Sequence, residues 1–208
     1  MSTVLIHEIK TSQKAVAFTF DDGPNPLYTL QVLTIFQEVS GKATFYMIGE
    51  QMIKHPEIVK KVIDQNHEIG NHTFTHPMLT QMRLDDCLHE ITKTDKLIKD
   101  MTGEAPTTFR PPYFDFNEFI SSEIKELGYK VIGALNIDAL DWEQPGVNHI
   151  VTKTRNHIKN GSILLFHDGF GDRSQTIEAV RTLVYELKEQ GYQFVTVSEL
   201  LQLANREN

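Results

Sequence analysis

The sequence predicts an α/β protein built on a mostly parallel sheet, and three observations carry that prediction. Short apolar runs alternate along the whole chain with longer segments of helical period. The runs are mostly rich in β-branched and aromatic residues and are too short for helices. The chain has 208 residues, 40% hydrophobic and 23% charged, enough to bury a substantial core as about one domain without covalent help. A strand–helix unit repeated about seven times places helices outside the sheet, which is then either open and doubly wound or closed into a barrel. No Gly-x-Gly-x-x-Gly follows the first strand, so the dinucleotide-binding version loses support.

In chain order, the first three strands are residues 15–20, 43–48 and 68–71. Ile58, Val59, Val62 and Ile63 form the apolar stripe of a helix before the third. Leu84, Leu88, Ile91, Ile98 and Met101 mark a helix before the fourth strand, 107–110. Ile120, Ile124 and Leu127 lead to Gly128, a natural residue just past a helix end, and then to the fifth strand, 130–137. A shorter helix, 149–159, stops at Asn160-Gly161 before the sixth strand, 162–166. Ile177, Val180, Val184 and Leu187 give a helix ended by Gly191, followed by the seventh strand, 193–197.

Composition narrows the function. There are 28 acidic and 20 basic residues, a formal charge of −8, and no long Lys/Arg run. This disfavours nucleic acid or an anionic membrane as partner, and weakly favours neutral over anionic polymers. No apolar stretch approaches the ~20 residues that span a bilayer. Residues 1–10 carry no signal-peptide pattern, so the chain reads as cytoplasmic, or as secreted after a signal was removed. Cys87 is the only cysteine; it allows no intrachain disulfide and reads as a packed thiol on a helix.

The unusual polar residues fall at strand ends. The first strand runs into Asp21-Asp22-Gly23-Pro24. Two adjacent carboxylates repel, a penalty that a metal ion or cation removes; an Asx turn is the alternative. The third strand runs into His72 and His76, four apart, a spacing that on a helical turn puts both imidazoles on one face. Such a pair is common by chance, but with an aspartate it makes a three-ligand set that leaves room for water and substrate. The fourth strand ends in Arg110-Pro111-Pro112-Tyr113, a stiff turn that leaves the Tyr113 N–H in a rigid frame. The fifth ends in Asp138-Ala139-Leu140-Asp141-Trp142, where the sole tryptophan is a core residue or a ligand wall. The sixth ends in Leu164-Leu165-Phe166-His167-Asp168, with His167 placed to donate a proton and Asp168 expected to cap the next turn. In a barrel all five ends share one rim, where that fold keeps its chemistry.

These motifs, in this order, resemble the polysaccharide deacetylases with a NodB-like domain, carbohydrate esterase family 4. The resemblance covers about residues 14–201 and rests on TFDDGP (19–24), HTFTH (72–76), RPPY (110–113), DALDW (138–142) and LLFHD (164–168), with ATFYMIGE (43–50) and HEIGNH (67–72) in support. It implies a distorted seven-stranded (β/α) barrel, one NodB-like domain over residues 1–208. It further implies metal-dependent removal of N-acetyl groups from N-acetylhexosamine units of chitin oligomers or peptidoglycan, with release of acetate. By the resemblance, Asp22, His72 and His76 hold one divalent ion, usually zinc, with cobalt or another transition metal as alternatives. Asp21 is then the general base and His167 the general acid. The Tyr113 N–H helps hold the oxyanion, Trp142 and Leu165 line the acetyl pocket, and Arg110 and Asp141 orient Asp21 and His167. The substrate partner is an N-acetylated glycan; the sequence does not fix the oligomeric state.

Two positions depart from the family pattern. Phe114 stands where glycine usually follows RPPY, which bears on substrate preference. Asn66 stands where glycine often precedes HEIGNH, a mild change because asparagine tolerates positive φ. Two other functions compete: an amidase acting on a small non-sugar amide or cyclic ureide, and a non-catalytic glycan-binding barrel. The full set Asp21, Asp22, His72, His76 and His167 favours the deacetylase over both.

Overall fold

Alternation within the first strand decides which residues line the interior. In the computed structural model, which describes residues 5–206, β1 (Ala15–Asp21) is buried throughout. Val16, Phe18 and Phe20 face one way, into an apolar layer shared with Phe36, Phe45 and Phe166. Phe18 stacks on Phe166 with ring centroids 5.3 Å apart, and Phe20 stacks on Phe45 at the same distance. Each such phenylalanine contributes about 2 kcal/mol of burial energy. Ala15 and Ala17 face the other way, among Tyr46, Ile132 and Ile163; by the two-residue period of a strand, Thr19 and Asp21 continue that inner face. The interior is narrow. A Cβ on Gly70 would fall 2.3 Å from the Tyr46 ring.

The remaining strands are β2 (Thr44–Met47), β3 (Glu68–Asn71), β4 (Thr108–Phe109), β5 (Lys130–Val131), β6 (Ile163–His167) and β7 (Gln193–Phe194). They form a seven-stranded parallel sheet in the order β5-β4-β3-β2-β1-β6, with β7 paired to the start of β1. Around it run α1 (Tyr28–Glu38), α2 (Gly49–Lys54), α3 (Pro56–Asp64), α4 (Leu84–Thr102), α5 (Glu118–Glu126), α6 (Val147–Arg155), α7 (Ser174–Glu189) and α8 (Val197–Arg206).

The sheet curls into a half-barrel, but β5 and β6 do not pair with each other. An N-terminal arm and the segment after β5 fill the seam. Ile6 donates to Val131 O at 3.0 Å and accepts from the Gly133 N–H at 2.9 Å; Ile9 donates to Gly161 O at 2.9 Å. Asn136 then grips β6 with both ends of its amide, to Leu165 N (2.7 Å) and Leu165 O (3.0 Å).

Seven strands match the expected number, and several boundaries differ for physical reasons. The fifth strand keeps only Lys130–Val131, because Ile132 and Gly133 turn to the arm. Residues 137–143 form two short 3₁₀ turns. The helix expected over 149–159 is Val147–Arg155, and Val197 opens α8 instead of ending a strand. The sequence does not mark α1, α2 or α8: α2 is too short to show a period, and no side chain on the residue before α1 caps it. Cys87 is a buried free thiol on α4, as expected.

Candidate active site

The inward face of β1 ends in Asp21, and the Arg110 side chain meets it from across the barrel. Arg110 is fully buried. Its Nη1 donates to Asp21 Oδ1 and to Thr19 Oγ1, each at 2.7 Å, and its Nη2 to Gly133 O at 2.9 Å. The guanidinium lies 4.4 Å from the Tyr46 ring centroid. A buried cation survives only with such partners; here they also leave Asp21 Oδ2 free of Arg110.

Asp22 is the next residue, at φ 73°. Its Oδ1 lies 3.1 Å from His76 Nε2 and 3.5 Å from His72 Nε2. That oxygen is buried and has no hydrogen-bond partner. One donor atom from each of Asp22, His72 and His76 falls within 4.8 Å of the others. The His72 Nδ1 sits 2.6 Å from Arg110 O, a contact that fixes the proton on Nδ1 and presents the Nε2 lone pair to the cluster. An orphaned carboxylate oxygen facing two imidazole nitrogens fits a divalent ion of the zinc type. Burial works to raise the Asp22 pKa, but the two imidazoles and His167 outweigh it and hold the carboxyl far below its ordinary range.

The His72–His76 spacing works through a loop, not through the helical turn expected from the sequence. Residues 72–76 form no helix, and Thr73 (φ 67°) and His76 (φ 62°) are left-handed. Glu90 of α4 holds this turn. It accepts from the Phe74 N–H (2.9 Å), the Thr75 N–H (2.7 Å) and the Thr75 hydroxyl (3.0 Å). Nothing in the sequence singles out Glu90, a polar residue on an amphipathic helix.

On the opposite wall, Asp141 Oδ1 lies 2.8 Å from His167 Nδ1 while its Oδ2 accepts from the His167 N–H at 2.8 Å and from Thr176 Oγ1 at 3.0 Å. Burial alone would depress the His167 pKa, but the Asp141, Asp22 and Asp21 charges push it up to about 9. The partly exposed Trp142 packs against it at a steep angle, ring centroids 5.4 Å apart. Asp168 does not cap the next turn as expected. It is buried beneath Gly23, bonded to Thr29 Oγ1, and Asp172 caps Ser174 instead. Asp138 also lies apart from the site, paired with His157 at 2.7 Å.

These walls enclose a cleft of about 490 Å³ lined by Asp21, Asp22, His72, His76, Tyr113, Trp142, Leu165 and His167, with Phe114 and Arg173 at its sides. Arg110 and Asp141 lie behind it. Every site residue expected from the sequence is therefore at one rim. Of the ten non-glycine residues with positive φ among those described, all but Ser40 and Asn66 lie in connections beyond the C-terminal ends of strands. Such conformations cost roughly 1 kcal/mol each and gather where chemistry demands them. Tyr113 (φ 57°) and Phe114 (φ 52°) are two in a row, and the Tyr113 N–H has no acceptor among the described residues. Asn66, at φ 60°, adopts the backbone conformation that its replacement of glycine requires.

The half-barrel carries a candidate three-ligand metal centre and an Asp–His pair at one rim, and sequence comparison gives the family. The family model described as polysaccharide deacetylase matches residues 8–132. A peptidoglycan-N-acetylglucosamine deacetylase of Bacillus cereus is 42% identical over 195 residues, covering 93% of this chain and 91% of the relative. The peptidoglycan-N-acetylmuramic acid deacetylase PdaC of Bacillus subtilis is 33% identical over 92% of this chain, which spans 40% of that protein's length. The solved structure of PdaC superposes with a TM-score of 0.85 at 32% identity, covering 96% of this chain and 95% of that one. The chain belongs to the polysaccharide deacetylase family, carbohydrate esterase family 4. No helix among the described residues is long and apolar enough to cross a membrane.

Proposed function

We propose that this protein is a metal-dependent N-deacetylase that releases acetate from N-acetylhexosamine units of a glycan, with peptidoglycan and chitin oligomers as the candidate polymers. We assign the activity to one NodB-like domain over residues 1–208, core about 14–201. The observation that carries the reading is the convergence of Asp22, His72 and His76 around an oxygen that lacks any other partner. A divalent ion held there, zinc by the chemistry of the donors, supplies Lewis-acid polarisation of the acetyl carbonyl and of the attacking water.

The chain's own groups supply the rest. Asp21 keeps Oδ1 on Arg110 and uses Oδ2 to take the water proton. The Tyr113 N–H, without another acceptor, stabilises the developing oxyanion; a preorganised donor of this kind is worth roughly 3 kcal/mol. His167, kept as imidazolium by Asp141, protonates the departing sugar amine from its Nε2. Trp142 and Leu165 enclose the acetyl methyl group. Asp21→Asn is expected to keep stoichiometric metal and lose about 100-fold or more in acetate release from acetylated oligosaccharides. Wild-type turnover in that variant, or acetate release that survives metal removal by a chelator, would overturn the assignment.

A further inference from the structure

We infer that Arg173 is a specificity residue that binds a carboxylate carried by the glycan, which makes a sugar with an acidic substituent the preferred substrate class. The inference rests on the N-deacetylase reading and deepens it.

Arg173 is 8% exposed and faces the cleft beside Trp142 and His167. Its Nε donates to Gly169 O at 2.8 Å and its Nη1 to Trp142 O at 3.2 Å. A guanidinium carries five N–H donors, and these two carbonyls leave Nη2 with no partner among the described residues. No carboxylate among the described residues forms an ion pair with it. Arg110, Arg155 and Arg181, by contrast, are paired with Asp21, Glu186 and Glu38. The adjacent Asp172 is turned elsewhere, accepting from Ser174 N–H and from Tyr28 OH, each at 2.8 Å.

Asp172 offers Arg173 only an exposed, solvent-screened counter-charge, and a guanidinium this enclosed gains from a closer anion. A ligand anion supplies one, and the planar fork matches a carboxylate. The two backbone bonds hold the group still, so little freedom is lost on binding. Position selects the source of the carboxylate. His167 protonates the sugar nitrogen, so the sugar lies along the His167–Trp142 wall, and Arg173 is on that wall. A lactyl ether on the reacting or the adjoining sugar places an acid there. The net charge of −8 points to neutral glycans; the Arg173 guanidinium on the cleft wall points the other way.

The test compares the metal-loaded enzyme on three oligomers of equal length: neutral N-acetylglucosamine, alternating N-acetylglucosamine and N-acetylmuramic acid, and the latter with its carboxylates methyl-esterified. Wild type is expected to prefer the free acid over the ester by about tenfold or more in kcat/KM, through KM, and to lose the preference in high salt. Arg173→Met is expected to abolish the preference and Arg173→Lys to keep part of it. Equal losses on all three oligomers would make Arg173 a brace for the Trp142 turn and overturn the inference. So would an unchanged preference accompanied by loss of competitive inhibition by acetate, which would assign the cation to the product. Calorimetric binding of acid and ester reads the same ratio without turnover. Failure of the enzyme to release acetate from any oligomer therefore counts against the N-deacetylase reading alone.

Discussion

Asp168 shows how little a residue's neighbours in sequence reveal of its surroundings. It follows His167 and was expected to cap a turn; the fold instead buries it completely. One carboxyl oxygen accepts from Thr29 Oγ1 and the other has no partner. Burial first, then the Asp22 and Asp21 charges, raise its pKa to about 7 against an ordinary 3.8. The folded state therefore binds a proton that the unfolded state releases, and stability falls as pH rises from about 4 through 7. Asp168→Asn keeps the acceptor for Thr29 and removes the charge. In metal-free protein it is expected to raise Tm by at least about 3 °C near pH 8 and by much less near pH 5. Equal shifts at both pH values would show that charge is not the cause. Phe114 teaches a related lesson. The sequence marks it as a departure from glycine; the structure places it in a left-handed conformation beside the cleft, its ring 6.0 Å from the Arg110 guanidinium.

Between elements, the clearest dependence is of the metal-side turn on α4. His72 stands just beyond β3 and is fixed by Arg110 O, whereas His76 sits at the far end of a loop. Glu90 sets the shape of that loop through three hydrogen bonds. Glu90→Ala is expected to weaken zinc affinity about tenfold, read by competition with a chelating dye, since outer partners of a metal site typically matter to that degree. Unaltered affinity would mean that the loop holds its form unaided. The His72–His76 spacing was legible as a ligand pair because it recurs with an aspartate at another strand end. Its geometry was not legible: two left-handed residues replace the helical turn, and sequence spacing does not encode φ. Glu90 was invisible for a plainer reason. A carboxylate on the polar face of a helix looks the same whether it meets water or three loop donors.

For the molecule as a whole, the strand number and the parallel orientation follow from patterning alone, since burial on both faces writes a continuous apolar run into β1 and β6. How the sheet closes does not follow, because no ladder joins β5 to β6 and the residues that bridge them carry no strand pattern. The site ties loops from β1 and β3 together, so occupancy by metal is expected to stabilise the whole fold. At a hundredfold excess over Kd the gain is about 2.7 kcal/mol, and at ~2–4 °C per kcal/mol a chelator should lower Tm by roughly 5–10 °C. An unchanged Tm would count against a bound ion that links these loops.

The seam has a consequence for the order in which the molecule assembles. Ile6 and Ile9 meet partners at Val131, Gly133 and Gly161, so the arm must wait until more than half the polypeptide has been laid down and folded back on itself. Joining such distant stretches is entropically slow. The arm is held by isolated bridges and not by a ladder, and so is the first stave of the cask to loosen. Hydrogen–deuterium exchange at Ile6 and Ile9 is expected to outpace exchange at the central amides of β1, and protection equal to that of β1 would reverse this order.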